Sequence, residues 1–333
     1  SKWYVLIFRI MEKNKIIIGL AIVAIIAVVG FMAADFFIGF DKPQKNVYEF
    51  KLDDFTDVDS SLINYTEVLN FNIDIEKMKA VDVDKDDNIY VAGKDKILIY
   101  DKNAKFIRQI YTEVEALSLK VSDNNDIYLG ARDHVEIWNF EGEKEASWEV
   151  LNPRVVITSI ALTDSSVFVA DAGNKIIYHY NLNGKLKNEI GRKDSIKGIQ
   201  GFVIPSPYFD IAIGRDNELW VVNSGRHQFE AYDMYGNLKS SWKKTSMNLD
   251  GFSGCCNPSN MAILPNGSFV TTEKGIVRIK IHKPSGEFES VVATPKQFDK
   301  GTRGLDVAVD SENRIILLDP MRAMIRIFEK DNK

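Results

Sequence analysis

The residues of this chain best suited to chemistry fall into two sets. The first is Cys255-Cys256, adjacent thiols between Gly254 and Asn257-Pro258, and they are the only two cysteines in 333 residues. In an oxidising compartment such a pair can close into an eight-membered vicinal disulfide. The Cα atoms are only about 3.8 Å apart, closer than ordinary bridges prefer, so the ring is strained and readily reduced. The pair can serve as a rigid turn, a ligand platform, a redox switch or a soft-metal site. No CxxC, CxxCH or Cys/His spacing accompanies it, which favours the turn. The second set is oxygen-bearing: Ser159, Asp171, Asp210, Asn223, Asn260, Glu273, Asp306 and Asp319. Asp210, Asn223, Asn260 and Asp306 could together hold a hard divalent cation such as Ca²⁺. The competing account is that Asp and Asn at these places bond backbone N–H groups of hairpins.

These residues are far apart in the chain, so a repeated scaffold must bring them together. Short β-branched and aromatic runs recur as Ile89-Tyr90-Val91, Ile127-Tyr128-Leu129, Val167-Phe168-Val169, Leu219-Trp220-Val221, Ser268-Phe269-Val270 and Ile315-Ile316-Leu317, between 38 and 52 residues apart. Each follows an apolar run beginning at Ala80, Ala116, Ser159, Asp210, Asn260 or Asp306. Turn pairs such as Asp216-Asn217 and Asn266-Gly267 separate them. Period-2 alternation, a repeat of about 40–50 residues and no helical periodicity predict an all-β, six-bladed β-propeller over residues 62–333. In that fold the start of each blade's first strand and the end of its second lie near one mouth of a central channel. All eight oxygen-bearing residues occupy such positions, and Cys255-Cys256 lies in the loop entering the fifth blade. The sixth unit stops after three strands, and Ile63–Phe71 is a spare one, so the N-terminal strand is expected to complete the last blade.

The stretches VFVADAGNKIIYHYNLNGKL and LWVVNSGRHQFEAYDMYGNL resemble the NHL repeat. That resemblance implies a six-bladed propeller, a fold used by binding modules and by a few hydrolases and lyases.

Ahead of the repeats, Ile16 to Ala34 is 19 residues without a charge, preceded by Glu12, Lys13 and Lys15 and followed by Asp35. Residues 11–40 are therefore expected to form an N-terminal transmembrane or signal-anchor helix, with the propeller on the extracytoplasmic side. A cleavable signal peptide is the rival reading. Residues 1–10 read as an upstream extension ahead of Met11, and 41–61 as a polar linker. A net charge of −5 excludes the basic signature of a nucleic-acid binder.

No nucleophile elbow, HExxH, phosphate loop or dinucleotide fingerprint is present. The sequence thus points first to a membrane-anchored binding or scaffold module for a protein partner or membrane complex, with the channel open to a small molecule and no cofactor required. The alternatives are a cation-dependent hydrolase resembling gluconolactonase-like propellers and a redox accessory protein using Cys255-Cys256. Against the hydrolase, Ala80 and Gly93 stand where that group's first-blade carboxylate is wanted.

Overall fold

A computed structural model describes residues 15, 18–20, 22–33, 55–149, 152–196 and 199–331. The chain divides into two compact units, Ser1–Lys51 and Leu52–Lys333. In the first, residues 15, 18–20 and 22–33 are helical. Among the described residues no helix is long and apolar enough to cross a membrane. The expected spanning helix over 11–40 therefore finds no support here. The upstream extension and most of the 41–61 linker lie outside the described residues.

The second unit is a ring of six four-stranded antiparallel sheets. After strand β1 (Tyr65–Asn72), blade 1 comprises β2 (Ala80–Val83), β3 (Ile89–Ala92), β4 (Lys96–Tyr100) and β5 (Phe106–Tyr111). Blade 2 comprises β6 (Ser118–Val121), β7 (Ile127–Gly130), β8 (Val135–Trp138) and β9 (Lys144–Ser147). Blade 3 comprises β10 (Ile157–Thr163), β11 (Ser166–Asp171), β12 (Ile176–Tyr180) and β13 (Leu186–Ile190). Blade 4 comprises β14 (Ile211–Ile213), β15 (Leu219–Asn223), β16 (Gln228–Tyr232) and β17 (Leu238–Lys243). Blade 5 comprises β18 (Asn260–Ile263), β19 (Phe269–Thr272), β20 (Ile279–His282) and β21 (Phe288–Ala293). Blade 6 comprises β22 (Asp306–Val309), β23 (Ile315–Asp319) and β24 (Met324–Lys330), with β1 as its outer strand. The register runs from Tyr65 opposite Lys330 to Asn72 opposite Met324, which closes the ring as expected.

Both faces of each inner strand are buried, so the blades must stack, and the apolar clusters span neighbouring blades around the whole circle. Val91 and Leu98 of blade 1 pack with Ile316 and Ile327 of blade 6. Val270 and Ile281 of blade 5 pack with Leu317 and Phe328 on the other side of blade 6. Turn chemistry supplies the punctuation. Asp84, Asp101, Asn139, Asn181, Asp233 and Asp310 each accept a backbone N–H four residues on, closing a hairpin by side chain. Strand boundaries shift locally from the sequence reading. Strand β6 begins at Ser118 rather than Ala116, and β10 begins at Ile157, with a register shift before Ser159.

One insertion bears on the site. The segment between β17 and β18 folds back so that Phe252 is buried against Phe229, Trp242, Phe269 and His282. Residues 278, 280 and 282 alternate onto one face of the blade-5 strand. Arg278 Nη1 donates to the Met247 carbonyl at 3.1 Å and Lys280 Nζ to that of Gly251 at 2.5 Å. His282 Nε2 lies 3.4 Å from the Asp250 carbonyl. Glu273 supplies the counter-charge to this face, 2.7 Å from Arg278 Nε and 3.1 Å from Lys280 Nζ. A fully buried charge cluster therefore rivets the loop that carries the cysteines.

Candidate functional site at the channel mouth

The innermost strands β2, β6, β10, β14, β18 and β22 line a channel of about 340 Å³. Their inner edges have no further strand to pair with, so their N–H groups need side-chain acceptors. Asp210 Oδ2 takes the Met261 N–H at 2.6 Å, Asp306 Oδ2 the Val81 N–H at 2.9 Å, and Asp82 Oδ2 the Val121 N–H at 2.7 Å. Ser159 Oγ accepts the Ile211 N–H at 3.2 Å and donates to Asp210 Oδ1 at 2.6 Å. Asn260 Nδ2 donates to Asp306 Oδ1 at 2.7 Å. Each contact joins one blade to its neighbour. Burial is the main force pushing the Asp210 carboxyl up to about 6, against the hydrogen bonds from Ser159, Met261 and Ile211. Asp306 is pushed up to about 7, first by burial and then by the charge of Asp210.

The proposed cation set is therefore not assembled. Asp210, Asn260 and Asp306 share the channel but bind backbone and one another. Asn223 lies away from the channel wall, its Oδ1 accepting the Val203 N–H at 2.9 Å and its Nδ2 donating to Glu230 at 2.8 Å. Among the described residues no three His, Cys, Asp or Glu side chains gather as metal ligands. The rest of the expected rim is similarly engaged. Asp171 Oδ1 accepts N–H groups of Val156 and Gly173, each at 2.9 Å. Glu273 serves the buried cluster, and Asp319 accepts the Arg322 N–H at 3.3 Å and faces Arg326 at 3.5 Å. Most of the residues flagged by the repeat thus accept a hydrogen bond at a hairpin end or inner edge, while Asn260 donates to Asp306 and Glu273 pairs with buried cations.

What stands at the mouth instead is the thiol pair and a cluster the sequence reading did not flag. Cys255 is exposed and Cys256 buried, with sulfurs 3.0 Å apart, close enough for a hydrogen bond and longer than an S–S bond. Ser206 Oγ donates to Cys256 Sγ at 2.8 Å. Lys274 Nζ reaches Ser206 Oγ at 3.4 Å and sits 4.4 Å over the ring of Tyr208. Burial raises the Cys256 thiol, but the hydrogen bonds from Ser206 and Cys255 and the Lys274 ammonium bring it below its ordinary value. The hydrogen bond with Cys256 pushes Cys255 up. The flanks are fixed: His227 Nε2 lies 2.5 Å from the Gly254 carbonyl, and Asn257 Nδ2 donates to Ser253 and Lys274 carbonyls at 2.8 and 2.9 Å. Gly254 has φ +79°, a left-handed conformation that a side chain would strain. Beside the pair lies a pocket of about 560 Å³, walled by Val156, Ile204, Pro205 and Pro207 and lined also by Glu115 and Arg132, and Ser206 belongs to both.

This arrangement can be set against known proteins. Solved structures with the same ring include a streptogramin B lyase, 12% identical over 82% of this chain and 100% of that one, with a TM-score of 0.60. A catalytically inactive histidine-to-alanine variant of virginiamycin B lyase from Staphylococcus aureus, with quinupristin, is 16% identical over 78% of this chain and 82% of its own, with a TM-score of 0.54. Selenomethionine-substituted virginiamycin B lyase from Staphylococcus aureus is 13% identical over 80% of this chain and 100% of that one, also at 0.54. At such identities the likeness is one of fold. No family model and no curated protein sequence matches the chain.

Lys274 and Ser206 carried weak signals in the sequence. Lys274 follows the end of a second strand by two residues, the rim position of the repeat. Ser206 sits between Pro205 and Pro207, whose fixed φ holds the loop against the cysteines.

Proposed function

We propose that this chain is a binding propeller whose working surface is the mouth bearing Cys255, and that its occupant is an apolar segment of a protein partner. One observation carries the reading: the polar groups of the repeat are taken up largely within the protein, while the mouth keeps a preformed, mostly apolar pocket that Glu115 and Arg132 also line. Concave, mostly apolar cavities with one or two charged groups are what extended ligands use for orientation. The kinship to NHL-type repeats belongs to the same proposal, as does tethering by the apolar N-terminal segment with the propeller outside the cytoplasm. A reporter fused after Lys333 and active only in the cytoplasm would overturn that placement.

A photo-cross-linking amino acid at Pro207 tests the binding reading, with one at Asp123 on the opposite mouth as control. A discrete adduct from Pro207 alone, weakened by Arg132→Glu, is expected. Equal adducts from both positions, or none from Pro207, would refute it. The pocket's size also suits a small molecule, and one lyase of this fold is known with quinupristin. Loss of a candidate substrate at the same rate with and without Arg132→Glu would leave that second reading without support.

A further inference from the structure

The two sulfurs are not equivalent, and the difference points to a direction of reaction. Cys255 faces solvent, whereas Cys256 is 1% exposed and reaches only Cys255, Ser206 and, beyond it, Lys274. An oxidant of any size can therefore meet Cys255 alone. Cys256 is already placed to displace whatever Cys255 acquires, and the ammonium above Tyr208 favours its anionic form. The tied flanks at Gly254 and Asn257 hold this relation without help from the rest of the loop. We propose that Cys255 and Cys256 form a two-thiol exchange site for small or peptide disulfides. Cys255 is the outer, attacking thiol, Cys256 the inner, resolving one, and Ser206 and Lys274 are positioning residues.

The chemistry starts from the pair carrying one shared proton and one negative charge. As the Cys255 sulfur attacks one sulfur of a disulfide R–S–S–R, the shared proton passes from Cys255 to the Cys256 thiolate. A Cys255–S–R bond forms, the S–S bond of the substrate breaks, and RS⁻ departs. That thiolate then accepts the Cys256 proton. Cys256 thiolate attacks the Cys255 sulfur, the Cys255–Cys256 bond forms, and the second RS⁻ leaves. Two electrons pass from the pair to the disulfide, which becomes one thiol and one thiolate. Charge and protons balance without a further oxidant.

The test uses the full chain, reduced and freed of reductant, with 5,5′-dithiobis(2-nitrobenzoate) as the probe disulfide. The wild type is expected to release two equivalents of aromatic thiolate and to end with no adduct, its mass lower by two hydrogens. Cys256→Ser should release one equivalent and retain the aromatic thiol. Cys255→Ser should stay unreactive until denatured, when its single thiol appears. Lys274→Met should slow the second release about tenfold at neutral pH and move its pH profile up by about one unit, a change a purely structural lysine would not cause. The proposal fails if the wild type keeps one adduct, or if Cys255→Ser reacts as fast as the wild type. It also fails if Lys274→Met leaves the profile in place. None of these readouts depends on the partner sought by cross-linking.

Discussion

Replacing Asp306 by Asn is expected to stabilise the protein at neutral pH, and the gain should vanish in acid. The carboxyl is held up to about 7 by burial and by Asp210. An unfolded chain releases the same proton near 3.8. Between these values the folded state binds more protons, so this group's contribution falls as pH rises from about 4 to 7 and is level above. Three units correspond to about 4 kcal/mol as a ceiling, and relaxation by channel water should leave about 2 kcal/mol. Asn can still accept the Val81 N–H, and a turned Asn260 amide can meet its NH₂ group. The assay is urea unfolding of both proteins from pH 4.5 to 8.5. With a slope of about 3 kcal/mol/M, the variant's midpoint should exceed the wild type's by about 0.7 M at pH 8 and match it near pH 4.5. His282, driven down to about 3 by burial, acts with the opposite sign, because protonating it below about 6.5 favours unfolding. It is common to both proteins and cancels in the difference. A midpoint difference that stays flat across the range would refute the reasoning.

Three further outcomes can be checked by the same unfolding assay. Glu273→Gln leaves Arg278 and Lys280 buried without their counter-charge and should destabilise by about 3–5 kcal/mol. Phe252→Ala empties the aromatic box beneath the inserted loop and should cost about 3–5 kcal/mol, with faster proteolysis between 244 and 254 as a local readout. Deleting 65–72 uncovers the edge of β24 and the apolar side chains that Leu69 and Phe71 cover, so a loss of several kcal/mol is expected.

The ring was legible because hairpin turns and alternating strands are local signals repeated six times, and the missing fourth strand announced its own replacement. The site was legible only in part. Asp210, Asn260 and Asp306 do line the channel, yet the two carboxylates accept N–H groups of other blades and Asn260 donates to Asp306, and sequence spacing does not report which edge N–H groups lack an acceptor. The cysteine pair stood out by type. Its setting did not, since Ser206 is 50 residues from Cys256 and Lys274 is 18 away, on a different strand end. Arg278, Lys280 and His282 drew no attention in the sequence, because only the folded-back loop makes their polar face interior.

Closure by β1 has a consequence for how the protein is made. Its partner β24 lies more than 250 residues later in the chain, with Tyr65 opposite Lys330. At about 5–20 residues per second, the first propeller strand to be synthesised waits on the order of tens of seconds before its mate exists. Blades 1 to 5 can assemble in turn as they emerge, each from contiguous chain. Blade 6 cannot, and through that interval the nascent ring presents unpaired backbone at its opening. A holding factor acting on β1 during translation, rather than on any later blade, would therefore have the greatest leverage over yield.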